Sequence, residues 1–364
     1  MIRPTLLASC LVLCACDQKE APPKAAPEKV TDKAAPPAAP AKPKIGLEAA
    51  GNDAKVVALA RKAITCKFEG SSFDSHCADY KAWKEEEDAF SANKADGTLV
   101  AFLEDPDEKV HALGVARLNG WGAGAFADKA LSERVLTVAE KPKGPQPGQL
   151  GTIVGHIKLK ETGLFPRIKA LLANGEANNL MRGAIIENLL AANPESDEVF
   201  ELTRGLFDDA ALGRAAFEAL EDGGHSKEKE TCALYATTLE HSDDYLASRS
   251  AVQMVGFPCP AQLDTMLKSL EARLKAKKVT DGHFADALAE LCKAKDATAA
   301  QKKKALALTH KIAEDKSIKA AYVRSSAIDA AVSCDEKGGK KYIGKFKKDA
   351  DTDVQERVTK LLAK

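Results

Sequence analysis

Between Thr98 and Asn119 the sequence reads TLVAFLEDPDEKVHALGVARLN, two short apolar-faced segments split by one proline. Leu99, Val100, Phe102 and Leu103 share a face at helical spacing. Pro106 disfavours helical geometry in Asp105 and supplies no backbone donor, so the first helix stops there. Asp105 is then expected to cap a second helix with Pro106 at its first position, where a missing N–H costs nothing. Asp107 and Glu108 set negative charge against the positive end of that helix's dipole. Val110, Leu113, Val115, Ala116 and Leu118 form the second apolar face, and Asn119-Gly120 supplies a stop. A chain built from such units must bury its apolar faces helix against helix.

Helical periodicity returns along the chain with a unit of roughly 40 residues. No convincing run of alternating β-branched residues interrupts it from Ile45 onward. The expected helix pairs are 53–66 with 75–92, the pair within 97–119, 128–140 with 149–161, and 164–173 with 177–192. They continue with 196–207 and 209–222, 227–240 and 242–255, 260–277 and 280–293, and 298–315 and 317–333. Residues 337–348 and 351–364 form a closing pair, charged as the end of such an array must be. The lysines from Lys337 to Lys348 read as a solvated capping face rather than a lipid contact, because nearby acids offset them.

The stretch LEDPDEKVHALGVARL resembles a HEAT repeat, whose consensus runs from a leucine-rich first helix through Asp-Pro to a Val-Arg/His second helix. The resemblance implies an all-α fold, an α-α superhelix of about eight helical hairpins covering 47–364. It carries architecture and little about function.

The chain opens MIRPTLLASCLVLCAC. Arg3 gives a basic start, and Leu6–Ala15 is apolar but too short to span a bilayer. Leu13-Cys14-Ala15-Cys16 is similar to the lipobox of bacterial lipoproteins. That resemblance implies a signal peptide at 1–15, lipidation of Cys16, and attachment to the membrane of the bacterial cell envelope, facing the periplasm or the outer surface. Leu7–Cys10 also fits the pattern but leaves almost no apolar region before it, and an ordinary signal peptide is the remaining alternative. Residues 16–46 are rich in Pro, Ala and Lys and too poor in large apolar side chains to fold, so they read as a disordered tether.

Six cysteines remain beyond Cys16, an even number that suits disulfides in an exported protein. In the hairpin reading Cys66 ends a helix whose partner begins at Cys77. Cys232 starts a helix, and Cys259 follows the end of its antiparallel mate. Cys292 and Cys334 end second helices one unit apart. The expected pairs are therefore Cys66–Cys77, Cys232–Cys259 and Cys292–Cys334.

Basic and acidic residues number 53 each, so no basic excess is available for general nucleic-acid binding. The seven histidines are scattered, and no nucleophile elbow, phosphate loop, zinc motif or cofactor-binding motif occurs. No catalytic residue is nominated, and no cofactor or metal is expected. The function read from this pattern is a membrane-anchored scaffold or adaptor that binds another protein of unknown identity. The alternative is a ligand- or glycan-binding lipoprotein, or an enzyme, with a site between repeats. Trp121 and Phe126 in the glycine-rich GWGAGAFAD are candidate anchors, although packing between units is the simpler role for both. Second helices usually line the concave face of such arrays. By repeat position the lining candidates are Lys109, Arg117, Arg182, Glu187, Arg214, Glu218, Arg249, Gln253 and Arg324.

Overall fold

A computed structural model of the chain describes residues 46–86, 90, 96–120, 126–142, 144–257 and 259–363. Within them the fold is all-α, apart from one two-stranded hairpin and one isolated bridge. The helices come in pairs. The first are α1 (Ala54–Ala63) with α2 (Ala78–Glu85), and α3 (Asp96–Leu103) with α4 (Glu108–Leu118). Next come α5 (Lys129–Glu140) with α6 (Pro147–Gly155), the short α7 (Leu159–Thr162), and α8 (Phe165–Ala173) with α9 (Asn179–Ala192). Then follow α10 (Asp197–Gly205) with α11 (Gly213–Gly223), and α12 (Glu228–Thr238) with α13 (Asp244–Gly256). The last pairs are α14 (Leu263–Lys275) with α15 (His283–Lys293), α16 (Ala299–Glu314) with α17 (Ala321–Cys334), and α18 (Glu336–Ile343) with α19 (Thr352–Leu362).

Side-chain caps explain many of the starts. Asp53, Asp107, Asn178, Ser196, Asp243 and Asp351 each accept a backbone N–H from the first turn that follows. Thr298 and Gln301 form a reciprocal capping box on α16. The opening motif differs from expectation here. Asp107, not Asp105, caps α4, and the Asp105 carboxylate accepts the Asp107 N–H at 2.8 Å. Asp107 is the better-placed acid once Pro106 lies in the turn, so the helix begins two residues later.

Successive second helices lie against one another: α4 on α6, α6 on α9, α9 on α11, then α13, α15, α17 and α19 in turn. One apolar cluster runs from Val56 to Val358 through these contacts. Fully buried leucines and isoleucines such as Ile153, Ile185 and Leu190 each contribute roughly 1.5–3 kcal/mol relative to exposure. The closest approach is α6 on α9. A Cβ on Gly151 would stand 2.3 Å from the Met181 carbonyl oxygen, and one on Gly155 would stand 2.8 Å from that of Ile185. Only glycine admits this spacing.

A recurrent bond closes several hairpins. His111, Arg182 and Arg324 each lie four residues after a second-helix cap and follow a buried Val110, Met181 or Val323. His111 Nδ1 donates to the Leu103 carbonyl at 2.8 Å, which requires the proton on Nδ1. Arg182 Nε donates to Leu172 O at 2.8 Å, and Arg324 Nε to Ala313 O at 3.1 Å. Each satisfies a carbonyl left open at the end of the first helix.

Three disulfides join Cys66–Cys77, Cys232–Cys259 and Cys292–Cys334, with Cα separations of 6.0, 5.5 and 5.0 Å. These are the pairs that the helix ends bring together. Such bonds persist in oxidising surroundings, so they point to a compartment outside the cytoplasm. Among the described residues no helix is long and apolar enough to cross a membrane.

Two departures from the regular pattern stand out. Inside the Cys66–Cys77 loop, β1 (Phe68–Glu69) and β2 (Ser72–Phe73) pair antiparallel around Gly70, whose φ of +64° suits glycine. The region expected as one helix over 149–161 breaks after Gly155. There Ile157 bridges Phe126, and Lys158 N donates to Phe126 O at 2.9 Å.

Candidate functional site

Two large apolar side chains are exposed among the described residues, Leu180 at 71% and Tyr322 at 58%. Both occupy the second position of a second helix, in α9 and α17. The same position holds Lys109 in α4, Arg214 in α11 and Tyr245 in α13. Side-chain caps fix the start of α4, α9 and α13, while α11 and α17 begin without one; the second residues of these five helices, each beside its hairpin turn, make up a ridge.

The ridge is held by contacts between units. The Arg214 guanidinium lies over the Tyr245 ring at 4.6 Å and grips Asp243, with Nη2 3.0 Å from Oδ2. Arg214 counters the burial that would raise the Asp243 pKa, and the net effect lowers it. Tyr245 meets His283 edge-on at 6.2 Å, and His283 Nδ1 lies 3.1 Å from Asp286. Tyr322 leans over Gly282, where an added Cβ would sit 3.4 Å from the ring, and its hydroxyl donates to Thr280 O at 2.9 Å.

Further along the same helices Arg249 Nη2 bonds both oxygens of Glu221 at 2.7 Å. Burial, followed by the neighbouring Glu218 and Asp222 carboxylates, raises the Glu187 pKa. The ridge thus combines ring faces, paired guanidiniums and an acidic flank. Among the described residues no group of three or more His, Cys, Asp or Glu side chains is placed to hold a metal ion.

The residues nominated from the sequence divide sharply. Arg214 and Arg249 come together on neighbouring helices beside Tyr245. Phe126 is only 2% exposed, so it packs between units and is no surface anchor. Arg182 at 7% and Arg324 at 5% are buried behind their carbonyl bonds. Arg117 donates to the Lys84 and Glu86 carbonyls at 2.5 and 2.6 Å and covers the Phe90 ring at 4.2 Å, closing the end of α2. Lys109 Nζ donates to Ile64 O at 3.1 Å. Cys16 and Trp121 lie outside the described residues. Leu180, Tyr245, His283 and Tyr322 were not nominated. Leu180, Tyr245 and Tyr322 share the second position of a second helix, a signal visible once the helix starts are aligned, whereas His283 opens α15 and falls outside that register. Compared with known proteins, the chain matches no family model, and no curated protein resembles it significantly.

Proposed function

We propose that the protein is a HEAT-like α-solenoid lipoprotein of the bacterial cell envelope that binds another protein along the ridge from Leu180 to Tyr322. The unit-on-unit helix contacts and the repeated Val-His, Met-Arg and Val-Arg pairs support the solenoid reading. The disulfides suit an exported chain, and the lipobox-like Leu13–Cys16 supplies the anchor. The observation that carries the binding reading is the alignment of both exposed large apolar side chains with Arg214 and Tyr245 at one helix position. Arginine and tyrosine dominate interface energetics, and exposed apolar groups gain most from being covered.

The test is cross-linking in native membranes followed by identification of the captured protein. The triple variant Leu180→Ser, Arg214→Glu, Tyr322→Ala should lose capture by roughly thirtyfold, the effect of one hot spot of about 2 kcal/mol. Undiminished capture would reject this surface.

A further inference from the structure

The break between α6 and α8 opens a groove. The extra turn of α7 ends at Gly163, with φ at +70°, and stands off from the loop between α9 and α10. The half-open space has a volume of about 670 Å³. Its floor is the buried Leu159, Ala192 and Asn193. Phe165, Pro166 and Pro194 line its sides with rings.

The side-chain amide at the floor is already used. Asn193 accepts the Leu159 N–H at 2.8 Å and donates to Ile157 O at 3.0 Å. Lys158 Nζ donates to Ala192 O at 2.6 Å. The rim is different. Glu161, Glu195 and Glu198 are exposed and make no close ion pair with a described residue, although Lys227, paired with Asp197, also attracts Glu195. Lys160 is the opposing exposed charge.

We propose that this groove binds a proline-rich, lysine-bearing extended segment of a protein partner. With the Asn193 amide engaged, the floor offers little to accept a hydrogen bond and penalises ligands that must bury donors. Proline has no backbone N–H to bury, and its preformed extended helix loses little entropy on docking. Proline rings pack on Phe165, Pro166 and Pro194 while lysine heads reach the three rim carboxylates. A sugar is the poorer fit, because its hydroxyls would find Asn193 already engaged.

The full chain is titrated against a fluorescent nonapeptide of three Lys-Pro-Pro units, followed by anisotropy. Saturable binding is expected, weakened about tenfold or more by Phe165→Ala and by the double variant Glu195→Lys, Glu198→Lys. The acidic residues are exposed, so that double variant keeps its fold if Phe165→Ala does not. Tyr322→Ala on the ridge should leave peptide binding unchanged, which separates this groove from the ridge. Absence of saturable binding, equal binding of a Glu-Pro-Pro peptide, or displacement of the peptide by an N-acetylglucosamine tetrasaccharide would each overturn the proposal.

Discussion

Arg324 and Asp349 face each other as a two-bond ion pair with only 6% of either side chain exposed. The same guanidinium satisfies the Ala313 carbonyl near the end of α16. Arg182 makes the corresponding bond to Leu172, but its remaining arm meets Asn179 rather than an acid. Removing Arg324 strands a buried carboxylate, whereas removing Arg182 strands only neutral acceptors. Arg324→Met should therefore cost about 3–5 kcal/mol, and Arg182→Met about 1–3 kcal/mol, in urea unfolding. Equal losses would show that closing the hairpin matters more than the ion pair.

The pH dependence follows from the same pair and from two histidines. The hydrogen bond from Arg324 holds the Asp349 carboxyl below its usual range. A depressed acid adds stability that is present above the ordinary aspartate value of about 3.9 and is lost as pH falls through the native value. His156 and His310 are lowered, both chiefly by burial and His310 also by Lys345. They favour the neutral form, so stability also declines as pH falls below the ordinary histidine value of about 6.5. Urea midpoints from pH 8 to 4 should show the histidine decline first, and His156→Gln with His310→Gln should flatten it. A wild-type curve flat between pH 7.5 and 5.5 would contradict this.

Within α6 two glycines should respond in opposite directions. Gly151→Ala drives a methyl group into the Met181 carbonyl and should cost about 1–3 kcal/mol. Gly148 has no heavy atom within 4 Å of an added Cβ, so Gly148→Ala should stabilise by roughly 0.4–1 kcal/mol through the unfolded chain. Thermal midpoints of the two variants make the comparison directly.

The disulfides should differ in worth. Sequence separations of 11, 27 and 42 rank Cys66–Cys77 below Cys232–Cys259, and that bond below Cys292–Cys334. Loop entropy gives about 3 kcal/mol for the shortest and about 4 kcal/mol for the longest. Paired serine variants, unfolded in urea, should follow that order. Peptide mapping of the non-reduced protein should recover these three links.

Much of this architecture is legible in the sequence, because helix pairing is local. Periodicity and caps locate the pairs, and the helix ends then bring Cys66 to Cys77, Cys232 to Cys259 and Cys292 to Cys334. The surface is less legible. Arg182 and Arg324 look like lining residues by repeat position, yet the base after the buried Met181 or Val323 turns inward to a carbonyl. Phe126 stands as a candidate anchor with packing between units as its simpler role, and its pairing with Ile157 buries it. The break after Gly155 leaves little mark, since Lys158–Thr162 has ordinary helix-forming residues. The bond from Lys158 N to Phe126 O comes from more than thirty residues away in the chain, beyond any local pattern.

The central claim is that the ridge is where a partner binds. A photoreactive amino acid placed singly at Leu180, Tyr245 or Tyr322 tests it in native membranes, with exposed Lys303 on α16 as the off-ridge control. All three ridge positions should capture the same protein, and position 303 should not. Capture that is equal at 303, or absent from the ridge while the protein remains folded, would contradict the account.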